Sequence, residues 1–358
     1  MLPEVSGQKT SESLSAGSRH ASQDTLTTAE ETRRWLDAGE VSHLYTLRPS
    51  RIWPGAVYCW AIIATSLAAW ARFPNSRVFA IAFVLIATRQ HALINYLHEA
   101  AHHLVSRNRW RNDWWSDLVF GAPNVMSTQS YRGNHLLHHS NLGKMKLDNE
   151  VNHRFLISGW HFWHTLVRGI SGWNAGRAFF NQGRGLKNAQ TDWRSRVRHF
   201  GLIAIANGLL FSYCLWLGAP VAYLLLWLLP LGTLTSLMLT IRVIAEHQTV
   251  GYARQTKEDF VHDMEPTFTR TIPANAIERF LFGPINFGYH NEHHLFPAVP
   301  YTALPELHRL LRKSGYYDKY PERLGRSYCH VLVGQIFPGG VKADESRNRE
   351  DRAAMSAV

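Results

Sequence analysis

Four long apolar runs punctuate the chain, and they fall in two pairs. Trp53 to Ala71 carries no charge, and Val78 to Leu97 is a second run interrupted by Thr88, Arg89, Gln90 and His91. Phe200 to Leu217 and Ala219 to Ile241 form the second pair. Each approaches the roughly 20 residues a helix needs to cross a bilayer core. The pattern predicts four membrane-spanning helices over 53–71, 78–97, 200–217 and 219–241, in preference to four buried helices of a soluble α protein. Only Arg72 to Arg77 separate the first two runs, and little more than Gly218 separates the last two, so each pair reads as a tight hairpin. The N-terminal arm, the loop from Leu104 to His199 and everything after Gln248 then share the opposite side of the membrane.

Composition refines this picture. Residues 1–38 are rich in Ser, Thr, Gln and charge and read as a disordered arm, not a cleaved signal. Residues 39–338 read as one membrane domain, and 339–358 as a second disordered segment. The loop from Leu104 to His199 holds fourteen Lys and Arg against five Asp and Glu. The positive-inside rule therefore assigns it, with both termini, to the cytoplasm of what would be an inner membrane in a bacterium. The net charge of +11 is thus mainly a topology signal. Its basic residues are scattered and match no recognition motif, which argues against nucleic acid as a partner. Cys59, Cys214 and Cys329 give neither a disulfide framework nor an iron-sulfur spacing, so electrons for any redox chemistry would come from another protein.

The chemistry lies in the histidines. Ten of the twenty fall in tight groups: His98, His102 and His103; His135, His138 and His139; His247; and His290, His293 and His294. His98 and His102 share one helix face, whereas His103 is turned about 100° away. His135, His138 and His139 repeat the idea, and His290, His293 and His294 reproduce the same His-x-x-His-His spacing. His247, directly after Glu246, ends the fourth run much as the first group ends the second. With an even number of crossings between them, all four groups lie on one membrane face. Ten imidazoles can fill two coordination spheres, and a sulfur-free nitrogen set suits iron, copper or zinc. Glu99, Asp148, Glu150, Glu246 and Glu292 are candidate acceptors for orienting the rings. The His-Glu-x-x-His core of the first group also matches a zinc protease signature, but that reading leaves the other histidines unexplained.

The ordered boxes His-Glu-Ala-Ala-His-His, His-Leu-Leu-His-His and His-Asn-Glu-His-His resemble those of the membrane fatty acid desaturase superfamily. The last continues through Leu295-Phe296-Pro297 to Leu307-His308 like that family's third box. Arg242 to His247 resembles its extra histidine segment. The likeness covers about Val78 to His308. It implies an all-α integral membrane fold of four transmembrane helices with a cytoplasmic helical cap, two Fe ions, O2 as co-substrate, and an acyl lipid, acyl-carrier-protein or acyl-CoA substrate losing two hydrogens. Residue by residue, it carries metal ligation onto His98, His102, His135, His138, His139, His247, His290, His293 and His294, with His103 at the margin. Animal stearoyl desaturases have Asn four residues before the extra histidine, where this chain has Val243. No fused heme motif is present, so the resemblance implies an external electron donor, with ferredoxin the simplest choice and cytochrome b5 or rubredoxin as others.

Two further readings accompany desaturation. Hydroxylation or ketolation within the same superfamily uses the same boxes. A membrane metal carrier or sensor would use the histidines reversibly, but its path would need more polar residues in the spans than Arg89, His91 and Arg242 supply.

Overall fold

A computed structural model describes residues 35–142, 160–188, 190–247 and 269–336. Among these the chain is helical, with one isolated bridge between Thr271 and Leu324. The helices that matter here are α1 (Ile52–Arg72), α2 (Ser76–Ala101), α3 (Arg109–Ser116), α4 (Thr128–Ser140), α5 (Trp160–Ile170), α6 (Trp173–Asn188), α7 (Trp193–Trp216), α8 (Tyr223–Glu246), α9 (Ala276–Leu281), α10 (His290–Leu295), α11 (Leu304–Lys313) and α12 (Tyr328–Ile336). Four of them, α1, α2, α7 and α8, are long and apolar enough to cross a membrane.

The helix starts follow local chemistry. Asn75, just after Pro74, accepts from the amides of Arg77 and Val78 and so turns the chain sharply from α1 into α2. Asn108, Ser127 and Asp192 cap α3, α4 and α7 in the same way. Gly218, at φ +72°, makes the left-handed turn that starts the return from α7 towards α8.

Two spans run further than their apolar stretches. The third begins at Trp193 and not Phe200, because the Asp192 cap lets the basic turn Arg194 to Arg198 continue the helix below the apolar core. The fourth reaches Glu246 and not Ile241, because Arg242 and Glu246 pair with each other, Nε to Oε2 at 3.1 Å, and so tolerate burial. At the other end of the chain, Leu36 is buried and Trp35 meets the rings of Tyr316 and Tyr320 edge-on. Residues 35 to 38, read from sequence as part of the arm, thus begin the packed structure.

The core lies between α1, α2 and the middle of α8, where Leu67, Ile86, Leu93, Leu97, Phe120 and Trp227 are fully buried. Trp60 stacks on Trp227 at 5.8 Å. Around Pro230, which has no amide hydrogen to donate, α8 widens into two π turns, Tyr223–Leu228 and Leu231–Thr235. Gln90 of α2 is bonded to both, donating to the Trp227 carbonyl at 2.8 Å and accepting from Thr235 Oγ1 at 2.8 Å. Away from the core, Val57, Ile81, Ile205, Leu209 and Trp216 are exposed on the spans, as lipid-facing positions require. Trp110, Trp115, Trp163 and Trp173 are exposed on the connecting helices, where a membrane-interface belt would lie.

Gly55 leaves room on α1 for the Tyr96 side chain of α2, since a Cβ there would meet Tyr96 Oη at 2.0 Å. Gly55→Leu is expected to cost about 1–3 kcal/mol through overpacking, read as a lowered thermal midpoint in detergent, while a leucine on the lipid face, as in Val57→Leu, should leave it unchanged.

Candidate metal centre

The end of α2, all of α4, the end of α8 and α10 converge at one end of the bundle. His98 and His102 come from α2, His135 and His139 from α4, and His293 from α10, and one nitrogen of each lies within 4.8 Å of the others. His138, His247 and His294 form a second such group. His290 joins it, with Nε2 at 2.8 Å from His247 and 3.1 Å from His294. The two groups touch, with the rings of His139 and His294 stacked at 4.1 Å.

Helical spacing explains the split. In α4, His135 and His139 are four residues apart on one face and serve the first group, while His138 turns to the second. In α10 the assignment is reversed, with His290 and His294 in the second group and His293 in the first. The same His-x-x-His-His spacing therefore serves both groups in mirrored fashion.

The nitrogens face one another. Nε2 of His135 is 2.9 Å from those of both His102 and His139, and His139 lies 3.1 Å from His293. In the second group His138 and His247 are 3.0 Å apart. A metal–nitrogen bond of about 2.1 Å with right angles between neighbours separates the donors by about 3.0 Å. His98 offers one nitrogen to the first group, and both of its ring nitrogens are fully buried without a hydrogen-bond partner. The donor set fits two metal ions, one held by five imidazoles and the other by four.

Burial, followed by the neighbouring imidazoles, holds His135, His139, His290, His293 and His294 well below the ordinary histidine range. His102 is pushed down to about 3, by burial first and then by the Arg132 charge. Neutral rings keep their lone pairs available for a cation.

Surrounding groups set the ring orientations. His247 Nδ1 lies 3.2 Å from the Val243 carbonyl, so the position where stearoyl desaturases have Asn contributes its backbone here. Glu246 accepts from Tyr328 Oη at 2.6 Å and approaches His290 Nδ1 at 3.5 Å. Glu99 accepts from the Tyr301 amide at 3.0 Å, with His98 Nδ1 at 3.8 Å. Glu292 bonds none of the clustered imidazoles. It is fastened by His308 Nδ1 at 2.6 Å and by the hydroxyls of Tyr317 and Thr271, and this anchors α10. Asp148 and Glu150 lie outside the described residues.

His103 joins neither group. Beyond the last turn of α2 its backbone is left-handed, at φ +60°, which turns the half-buried ring outward until Nδ1 lies 3.4 Å from Arg132 Nη2.

Sequence reasoning missed what holds the first two boxes together. Arg132 of α4 donates to the carbonyls of Ala100 and Ala101 at 2.9 Å each, and makes a two-pronged pair with Asp113 at 2.6 and 3.0 Å. Asn112 accepts from the amides of Val105 and Ser106 and donates to the Ala100 carbonyl. Nothing in the local sequence separates Arg132 from the other basic residues of its loop.

Four helices long and apolar enough to cross a membrane, with α4 and α10 packed at the ends of two of them so that nine imidazoles meet in two adjoining groups, define a candidate metal centre of the membrane oxidoreductase type. The fatty acid desaturase family model matches residues 74–325, and the chain belongs to that family. It is 27% identical to the sphingolipid delta(4)-desaturase of Candida albicans over 72% of this chain and 67% of that protein. It is 30% identical to the sphingolipid delta(4)-desaturase/C4-monooxygenase of Mus musculus over 69% and 68% respectively. The dihydrorhizobitoxine desaturase of Bradyrhizobium elkanii is 26% identical over 86% of this chain and 88% of its own length. The protein is accordingly a membrane-embedded oxidoreductase of lipid metabolism.

Arg132→Met should cost about 3 kcal/mol by leaving Asp113 unpaired, and chemical unfolding in detergent measures it; Arg109→Met, at an exposed position nearby, should cost almost nothing. The metal-free fold should also lose stability in acid. Unfolded imidazoles protonate near about 6.5, whereas His102 in the fold stays neutral to about 3, so protons bind the unfolded chain first. Its thermal midpoint is expected to decline steadily as pH drops below about 6.5; a midpoint that climbs instead would contradict neutral, buried rings.

Proposed function

We propose that the protein is an O2-dependent diiron desaturase that introduces a double bond into the chain of an acyl lipid. The observation that supports this most is the pairing of a five-imidazole and a four-imidazole group in a chain of the desaturase family. One iron would be held by His98, His102, His135, His139 and His293, and the other by His138, His247, His290 and His294, with His103 outside the set. When bound, the iron pair supplies the oxidising power, drawn from O2, that removes hydrogen from unactivated methylenes.

The chain's own residues supply position. The Val243 carbonyl orients the ring of His247, Glu246 places its carboxylate 3.5 Å from His290 Nδ1, and Glu292 with His308, Tyr317 and Thr271 fixes α10. Phe287 lies edge-on to His98 at 4.4 Å and makes part of an apolar wall that excludes water. The excess of fourteen basic over five acidic residues in the loop on the site's side supports a cytoplasmic site. Electrons would come from a separate protein, ferredoxin being the simplest donor and cytochrome b5 or rubredoxin the others.

Hydroxylation is the second reading, favoured by the name of the mouse relative, which carries both a desaturase and a monooxygenase activity. The test compares lipids of a host expressing the chain with those of a host expressing His138→Ala. A product two mass units lighter than a host chain, present only with the unaltered protein, is expected; a product sixteen units heavier would replace desaturation by hydroxylation, and the same product from both proteins would refute the metal assignment.

A further inference from the structure

The face of α2 that carries His98 and His102 continues into the membrane with Asn95 and His91. The four stand at i, i+4, i+7 and i+11 on one stripe, and Asn95 and His91 are fully buried. Neither residue belongs to the metal groups.

Their hydrogen-bonding roles are fixed by partners that have only one role themselves. His91 Nδ1 lies 3.0 Å from the carbonyl oxygen of Leu281. A carbonyl only accepts, so Nδ1 carries a proton, and in the neutral ring Nε2 is then a bare acceptor. Asn95 Oδ1 accepts from Nη1 of Arg242, a group that only donates, so the amide orientation is settled and Nδ2 is the remaining donor. Neither His91 Nε2 nor Asn95 Nδ2 has a hydrogen-bond partner in the protein. Buried polar atoms are costly to leave in this state.

We propose that His91 and Asn95 form a subsite that reads a hydroxyl group on the lipid substrate, an inference that rests on the desaturase reading above. One acceptor and one donor a helical turn apart suit a group that donates and accepts at once. A hydroxyl does both, and a methylene can do neither. At 1.5 Å per residue, Asn95 and His91 stand about 4.5 and 10.5 Å along α2 from His98. A hydroxyl held there lies only a few carbon–carbon bonds from the methylenes brought to the metal centre, and so sets which of them reacts. A trapped water would satisfy the same two atoms, and the experiment separates the two cases.

The test measures equilibrium binding of a radiolabelled N-acyl dihydrosphingosine, and of its counterpart lacking the chain hydroxyl, to the iron-loaded full chain in lipid nanodiscs. The unaltered protein is expected to prefer the hydroxylated probe by about tenfold. His91→Phe and Asn95→Asp should each reduce that preference to below about twofold without weakening the other probe. His91→Gln, which keeps a donor for Leu281 and an acceptor for the hydroxyl, should preserve it. If His91→Phe does not fold, Asn95→Asp, which keeps the bond to Arg242, decides alone. No preference in the unaltered protein, including no binding of the hydroxylated probe, overturns the subsite, as does a preference unchanged in the variants, which would leave a trapped water only. Turnover of both probes without preference likewise removes the subsite and leaves the desaturase reading intact, whereas preferential binding with no oxidised product supports the subsite and counts against that reading.

Discussion

The structure depends on a crowd of neutral imidazoles brought nitrogen to nitrogen at 2.8 to 3.1 Å. Such an arrangement is unfavourable in itself. Each contact can hold at most one proton, lone pairs face one another elsewhere, and burial forbids relief by protonation. A shared cation converts these repulsions into bonds. The rest of the fold serves to hold the rings there: caps that start α2 and α4 in register, the Val243 carbonyl at the outer nitrogen of His247, Glu292 with His308 and Tyr317 anchoring α10, and Arg132 joining the helix of the first box to that of the second.

The membrane spans make this affordable. α2 and α8 are packed against each other through Gln90 and Thr235, and both extend beyond their apolar stretches to deliver His98, His102 and His247 at one level. The π turns of α8 shift its later residues around the axis, and Gln90 is bonded to a carbonyl in the first turn and a hydroxyl in the second. Burial of Arg242 is tolerated because Glu246 pairs with it, while Phe287 covers its guanidinium at 4.0 Å.

Much of this was legible in the sequence because its signals are local. Four apolar runs announce four spans, and repeated His-x-x-His-His spacing announces imidazoles presented together from helices. The long-range consequences were not legible. Nothing in the spacing of the second box says that His138 leaves its neighbours for a different group, since that depends on where α10 docks. His103 already stood apart from its neighbours in the sequence, turned about 100° from their face, but what carries it outward is a helix end, where its own left-handed backbone turns the ring away. Arg132, Asp113 and Asn112 act across up to 32 positions of chain, and only tertiary contact reveals them. Glu292 stands between clustered histidines yet braces α10 from behind.

The mirrored use of α4 and α10 has a consequence for the whole centre. Each of these helices contributes to both groups, so the offset between the groups along each helix follows helical pitch. A rotation or shift of either helix therefore disturbs both groups at once, and neither group can be rearranged alone.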